Sequence, residues 1–470
     1  MNTTWQRITL TDLPIYQWRN NSFIYGLVGK FQSWRAGSLL IQFAEIIGVL
    51  LLSLLYTLAP FFSKSNDALV PILLGIGVFW LIITLTDEDK IKAVTPIHLL
   101  VLLYWSITTI SVAFSPAKLA AFKGWNKLTL YLLLFALAAR ILRSPRLRNW
   151  LITIYLHIAL IVSAYGIRQW FFGAAQLATW VDPESPLAKT TRVYSFLANP
   201  NLLAAYLLPA IALSLAAFFA WKTKVTKTLA LTMFVCNSAC LILTFSRGGW
   251  LGFLLLLLCF TVLLFYVYNE QIPDFFKLWA LPSFFCGLIL ILIIAVIFIP
   301  AFRERIMSMF AGSGDSSNNF RLNVWKAVQE MIKASPIIGI GPGNDVFNKI
   351  YPLYQVSPKY SALSAYSIVF EICIETGFIG LSCFLWFLIV MFNQAMIQLQ
   401  RLKSMLSGEI FWLMGAIAAI IGLLTHGLFD TVWYRPQVNS LWWLMVALIA
   451  SYHQFRELEI TESEELTINN

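Results

Sequence analysis

Ile338-Gly339-Ile340-Gly341-Pro342-Gly343-Asn344 lies within Ala301 to Gly377, whose first part, 301–364, is the longest largely polar interruption in this apolar chain. The stretch opens on a charged run, Phe302-Arg303-Glu304-Arg305, and passes through a Gly/Ser/Asn-rich segment from Gly312 to Asn319. A helix-like segment follows from Arg321, with Trp325 at i+4 on the same face. Apolar sequence resumes at Ser364-Ala365-Tyr366-Ser367, with Glu371 and Glu375 just inside. The glycine run is not a P-loop, because it lacks the Gly-Lys-Ser/Thr ending and no strand precedes it. It reads as a tight turn in an extramembrane loop, and the remaining sequence reads as membrane scaffold.

Composition agrees. Of the 470 residues, 59% are hydrophobic and 12% charged, against about 25% charged in a soluble domain. The net charge of +10 comes from short basic runs between apolar spans, so it points to membrane orientation and not to nucleic acid. The six cysteines all fall in apolar segments; Cys236 and Cys240 have helical spacing, but no His or carboxylate completes a metal-ligand pattern. They read as packing residues, and neither a metal nor a cofactor is expected. The first 38 residues are mixed and polar, without a signal peptide pattern. Trp5, Trp18 and Trp34 with Arg7, Arg19, Lys30 and Arg35 suit a segment on the cytoplasmic membrane surface.

A span needs about 20 apolar residues. On that rule, twelve helices are expected near 39–60, 68–86, 94–114, 119–139, 149–172, 201–221, 228–245, 249–268, 278–300, 365–399, 410–430 and 437–453. The fold expected is all-α and polytopic, with one large, partly helical periplasmic loop. Its divisions are a surface segment at 1–38, nine spans over 39–300, the loop at 301–364, three spans over 365–453 and an acidic tail at 454–470. Basic residues concentrate on the side of the N-terminus: Lys90 and Lys92, Arg140 to Arg148, Lys222 to Lys227, Lys277, Arg401 and Lys403. The opposite turns hold Lys64, Lys118, Arg247 and Arg435. Both termini are thus expected in the cytoplasm of an inner-membrane protein, with 301–364 outside. No internal or inverted repeat of the kind found in many transporters is visible.

Several unusual stretches then fall on the outer side. Asn199-Pro200-Asn201 opens a helix, where free backbone N–H groups attract anions, although an ordinary N-cap reads the same way. Ser246-Arg247-Gly248-Gly249 is a turn with almost no loop, and its glycines permit close backbone approach beside a guanidinium. Arg168 stands near the outer end of its helix, and Arg321 comes from the loop. His426 and Asp430 are i, i+4. The carboxylate is placed either to orient the imidazole or to pair with Arg435. Guanidinium forks suit oxyanions, so an anion site is expected here, with bicarbonate, diphosphate and carboxylate all fitting.

The order Asn199-Pro200-Asn201, Ser246-Arg247-Gly248, Arg321 with Trp325, Pro336 to Gly341, and Glu375-Thr376-Gly377 resembles the O-antigen ligase/polymerase superfamily. Within it, the Trp-rich N-terminus and Thr425-His426-Gly427-Leu428-Phe429-Asp430-Thr431-Val432-Trp433-Tyr434-Arg435-Pro436 are similar to the cyanobacterial IctB branch. That branch is described as bicarbonate transporters in inorganic carbon accumulation. The resemblance implies that Arg247 and Arg321 hold an anionic group. The function it leads us to expect first is binding or moving bicarbonate in inorganic carbon accumulation, with a ligase or polymerase acting on polyprenyl-diphosphate-linked glycan as the alternative. The ligase pattern His-Asn-x-x-Leu-x-x-x-x-Glu-x-Gly reads here from Tyr366 to Gly377, with Tyr366 at the histidine position. A phenol with a pKa near 10 is a poor general base at neutral pH. The expected ligand contacts are Arg168, Arg247, Arg321, Asn199, Asn201, Tyr366, Glu375 and Arg435. His426 and Asp430 are the expected catalytic pair if the protein is a ligase.

Overall fold

The computed structural model describes residues 3–11, 25–62, 67–87, 94–175, 191–310, 316–405, 407–430 and 434–453. The acidic tail, Lys64, Lys90, Lys92 and residues 431–433 lie outside that set. Among the described residues the structure is helical, without strands.

Every one of the twelve apolar segments forms a helix. The first eight are α1 (Ala44–Leu58), α2 (Val70–Leu85), α3 (Pro96–Phe114), α4 (Lys118–Ile141), α5 (Pro145–Phe172), α6 (Pro200–Ala220), α7 (Lys224–Leu243) and α8 (Arg247–Tyr268). α9 (Asp274–Phe298) ends the first group, and α10 (Pro300–Phe310), α11 (Ser316–Ala334) and α12 (Asn344–Ile350) make up the loop. α13 (Ile368–Ser404), α14 (Ile410–Gly427) and α15 (Pro436–Ser451) complete the bundle. By length and composition, eight helices among the described residues are able to cross a membrane. α2, at 16 residues, is shorter, α4 carries Lys118, Lys123 and Lys127 in its first half, and α15 has only 16 residues.

α6 and α14 form the centre. Both are buried on nearly every face, as expected of helices apolar all round. Small residues bring the backbones together. A Cβ at Gly252 of α8 would meet the Gly422 carbonyl of α14 at 2.7 Å, so this crossing depends on glycine.

The loop makes its own small core. Val324, Val328 and Met331 of α11 pack with Val346, Phe347 and Tyr351 against Ala120 and Ala121 of α4 and Ile374 of α13. The glycine run docks into a break in α13. Gly377 takes φ 66 and ψ −169, interrupting the helix, and thereby frees carbonyls that the turn satisfies. Ile340 N–H donates to the Ile374 carbonyl at 2.8 Å and Gly341 N–H to that of Glu375 at 3.1 Å. Ser111 Oγ of α3 donates to the Glu375 carbonyl at 2.6 Å, and Ser115 Oγ, at the C-cap of that helix, donates to the carbonyl of Ile340 at 2.5 Å. The turn is therefore a clamp that fixes the loop on the bundle, with no anion-binding cradle.

Candidate functional site

Three helices begin in the same unusual way. Ala198 (φ 57), Phe245 (φ 51) and Tyr366 (φ 52) are non-glycine residues in the left-handed region. Each directly precedes the N-cap of a helix: Asn199 for α6, Ser246 for α8 and Ser367 for α13. A left-handed non-glycine residue costs roughly 1–2 kcal/mol, and such outliers concentrate at functional sites. Two of the caps hold their turns. Asn199 Oδ1 accepts from Asn201 N–H at 2.8 Å and Leu202 N–H at 3.2 Å, and Ser246 Oγ accepts from Gly249 N–H at 3.2 Å. Gln169 of α5 supports a fourth left-handed residue, Ser195 (φ 51). Its Oε1 accepts from Tyr194 N–H at 3.1 Å and Ser195 N–H at 2.7 Å.

These turns gather arginines. Arg192 donates from Nε to the Thr244 carbonyl at 3.0 Å and from Nη2 to Asn201 Oδ1 at 3.2 Å. Arg305 of α10 donates to the Phe245 carbonyl at 2.9 Å. Arg247, the first residue of α8, is buried. Arg321 reaches in from α11, with Nη2 at 3.7 Å from Asp430 Oδ2. Asp430 also accepts from the Asn201 amide, so its carboxylate sits between Arg321 and the start of α6. Burial lowers the Arg192 guanidinium to about 10, Asp430 opposes that shift, and Arg247 and Arg321 add to it. Arg192 therefore stays charged at neutral pH.

Tyr366 faces the same cluster. Burial, then Asp430, then Tyr434 push its phenol well above the usual range, with Arg321 opposing. It stays protonated at neutral pH. The predicted helix face of α11 is realised: Trp325 donates to the Ala365 carbonyl at 3.0 Å, which anchors the turn carrying Tyr366.

Of the expected site residues, Arg247, Arg321, Asn201, Tyr366 and Asp430 are brought together. His426 packs beside them, against Gly248, but the expected His426–Asp430 dyad does not form. Asp430 turns to Arg321 and Asn201, and both ring nitrogens of His426, 1% exposed, are without a hydrogen-bond partner. Asn199 is occupied by capping. Arg435 rests on the Tyr434 ring at 5.2 Å. Arg168 does not join the site; it is exposed and lies over Phe172 at 5.4 Å. Glu375 is also diverted, since its carboxylate accepts from Gly343 N–H at 2.7 Å and belongs to the loop clamp.

Arg192 and Arg305 were not expected as site residues. Each sits in a quoted run, but only the fold shows which carbonyls they reach. Beside the cluster, a cleft of about 790 Å³, including its open mouth, runs between α3, α4, α13 and α15. Its walls include Tyr104, Phe387, Trp442 and Trp443, with Glu371, Glu375 and Tyr434 among its polar groups.

Residues 232–385 match the family model described as O-antigen ligase. The match covers about a third of the chain and includes Arg247, Arg305, Arg321, Tyr366 and Glu375. No curated protein matches the chain. The fold and the match together define a multi-pass α-helical membrane protein with an O-antigen ligase-related segment.

Proposed function

We propose that the arginine cluster binds the diphosphate of a polyprenyl-linked glycan and that the protein transfers that glycan at the periplasmic face of the inner membrane. The observation carrying this reading is the convergence of Arg192, Arg247, Arg305 and Arg321 on two capped helix starts, with Asp430 beside Arg321. Backbone N–H groups at helix starts and bidentate guanidinium groups both favour a multiply charged oxyanion. The aromatic and aliphatic walls of the neighbouring cleft suit an apolar chain.

In the transfer step, an acceptor hydroxyl oxygen bonds to the anomeric carbon as the bond from that carbon to the diphosphate oxygen breaks. The diphosphate leaves with the electron pair, stabilised by the arginines. Tyr366, being protonated, donates a hydrogen bond. In this reading Asp430 takes the acceptor proton.

A small oxyanion such as bicarbonate is the second reading, favoured by Tyr366, which binds an anion without needing to accept a proton. Reconstituted protein given labelled polyprenyl-diphosphate glycan, and in parallel labelled bicarbonate, separates the two. Glycan release that depends on Arg247 is expected; bicarbonate uptake without glycan turnover would refute the leading reading.

A further inference from the structure

The opposite end of the bundle holds a second concentration of positive charge. Arg401, near the end of α13, donates from Nη2 to the Tyr452 carbonyl at 3.0 Å. Its Nε and Nη1 are shielded from solvent and have no hydrogen-bond partner. Buried donors without acceptors are rare in proteins and costly to leave unmet. Arg401 shares its helix face with Gln394 and Gln398, at i−7 and i−3. Gln394 Oε1 lies 3.2 Å from His453 Nδ1, just after α15. Arg143, which follows α4, acts electrostatically on both His453 and His98 of α3, and Arg401 acts on His453.

Four elements thus bring two arginines and two histidines to one place. Neighbouring acids are matched to other cations. Glu409 pairs with Arg148, whose guanidinium also covers the Tyr452 ring at 4.0 Å. Asp87 takes Arg140, with Arg35 at 3.6 Å, and Glu270 takes Lys403 at 3.0 Å.

We propose that this cluster binds a phosphate-class anion, with the unmet guanidinium donors of Arg401 as its anchor and Arg143 and His453 flanking it. Guanidinium N–H groups make strong charge-assisted hydrogen bonds to phosphate oxygens. Basic pockets between helices at a membrane surface take anionic lipid headgroups. A phosphodiester headgroup and free phosphate share this chemistry. The site is separate from the Arg247–Arg321 cluster and does not depend on its function.

The test uses full-length protein in phosphatidylcholine nanodiscs with two probes. Phosphatidylglycerol retention is followed by native mass spectrometry, and inorganic phosphate binding by thermal shift. At least one probe is expected to bind, with affinity falling tenfold or more in Arg401→Gln and unchanged in Arg168→Gln, an exposed side chain outside both clusters. Loss of phosphatidylglycerol retention identifies the headgroup as the source, and loss of the phosphate shift identifies the soluble anion. Arg401→Lys keeps the charge without the fork and is expected to weaken binding threefold or more, which covers failure of the Gln variant to fold. Binding insensitive to Arg401 overturns the proposal. So does binding seen only after Glu457, Glu459, Glu462, Glu464 and Glu465 are changed to Gln, since the pocket then serves the chain's own tail.

Discussion

Asp430 stands 3.7 Å from Arg321 while accepting from the Asn201 amide, so a resident carboxylate already answers the cluster's charge. An incoming anion competes with it. In Asp430→Asn, polyprenyl-diphosphate affinity is expected to rise about threefold to tenfold, equivalent to about 1 kcal/mol. Glycan transfer is expected to fall about 100-fold or more with the proton acceptor gone. Equilibrium binding and single-turnover assays on the same preparation read the two effects; unchanged turnover would remove Asp430 as the base.

Arg247→Ala and Arg321→Ala are each expected to weaken diphosphate binding by roughly 10- to 100-fold, the worth of a charge-assisted hydrogen bond. Lys at either position should recover less than half of that free energy, because a point charge does not reproduce the fork. Arg168→Ala, removing an exposed side chain outside the cluster, should leave binding within twofold.

Tyr366 separates anion binding from catalysis. Tyr366→Phe deletes one donor and should reduce anion affinity by about 0.5–1.5 kcal/mol, without altering the pH profile of transfer. Tyr366→His introduces a group with a pKa near 6.5. It should raise glycan transfer above the parent and add a rise in rate through that pH as the imidazole loses its proton.

The clamp at the helix break predicts a stability effect far from the arginines. A Cβ at Gly377 would overlap the Ile337 carbonyl, and φ there is 66. Gly377→Ala should lower the thermal midpoint by several degrees and make 336–345 more sensitive to protease. Gly75→Ala has open space around it and replaces a helix-interior glycine, so its midpoint should match or exceed the parent's.

Ser361 is exposed in the loop. Ser361→Cys in intact cells should react with a membrane-impermeant maleimide above the background of the parent's own cysteines. Labelling that appears only after lysis would place the loop on the inner side.

The linear sequence determined the class of structure. Runs of apolar residues long enough to bury a helix in lipid, broken by basic turns, leave few alternatives, because an unpaired backbone is too costly in hydrocarbon. It also singled out Arg247, Arg321, Asn201, Tyr366 and Asp430, since charged or amide groups at the edge of apolar segments are expensive and stand out. It was ambiguous wherever one residue had two plausible partners. The i, i+4 spacing of His426 and Asp430 permits a dyad, yet the carboxylate is taken by an arginine more than a hundred residues earlier in the chain and by Asn201 on another helix. Glu375 sits in a motif, yet a backbone N–H from the glycine turn claims it. Arg192 and Arg305 answer to carbonyls exposed only because α7 ends at Thr244 and Phe245 turns left-handed. Helix formation is local and written in periodicity, whereas the partner of a charged side chain is chosen by which elements pack side by side, and that is decided only by the tertiary structure.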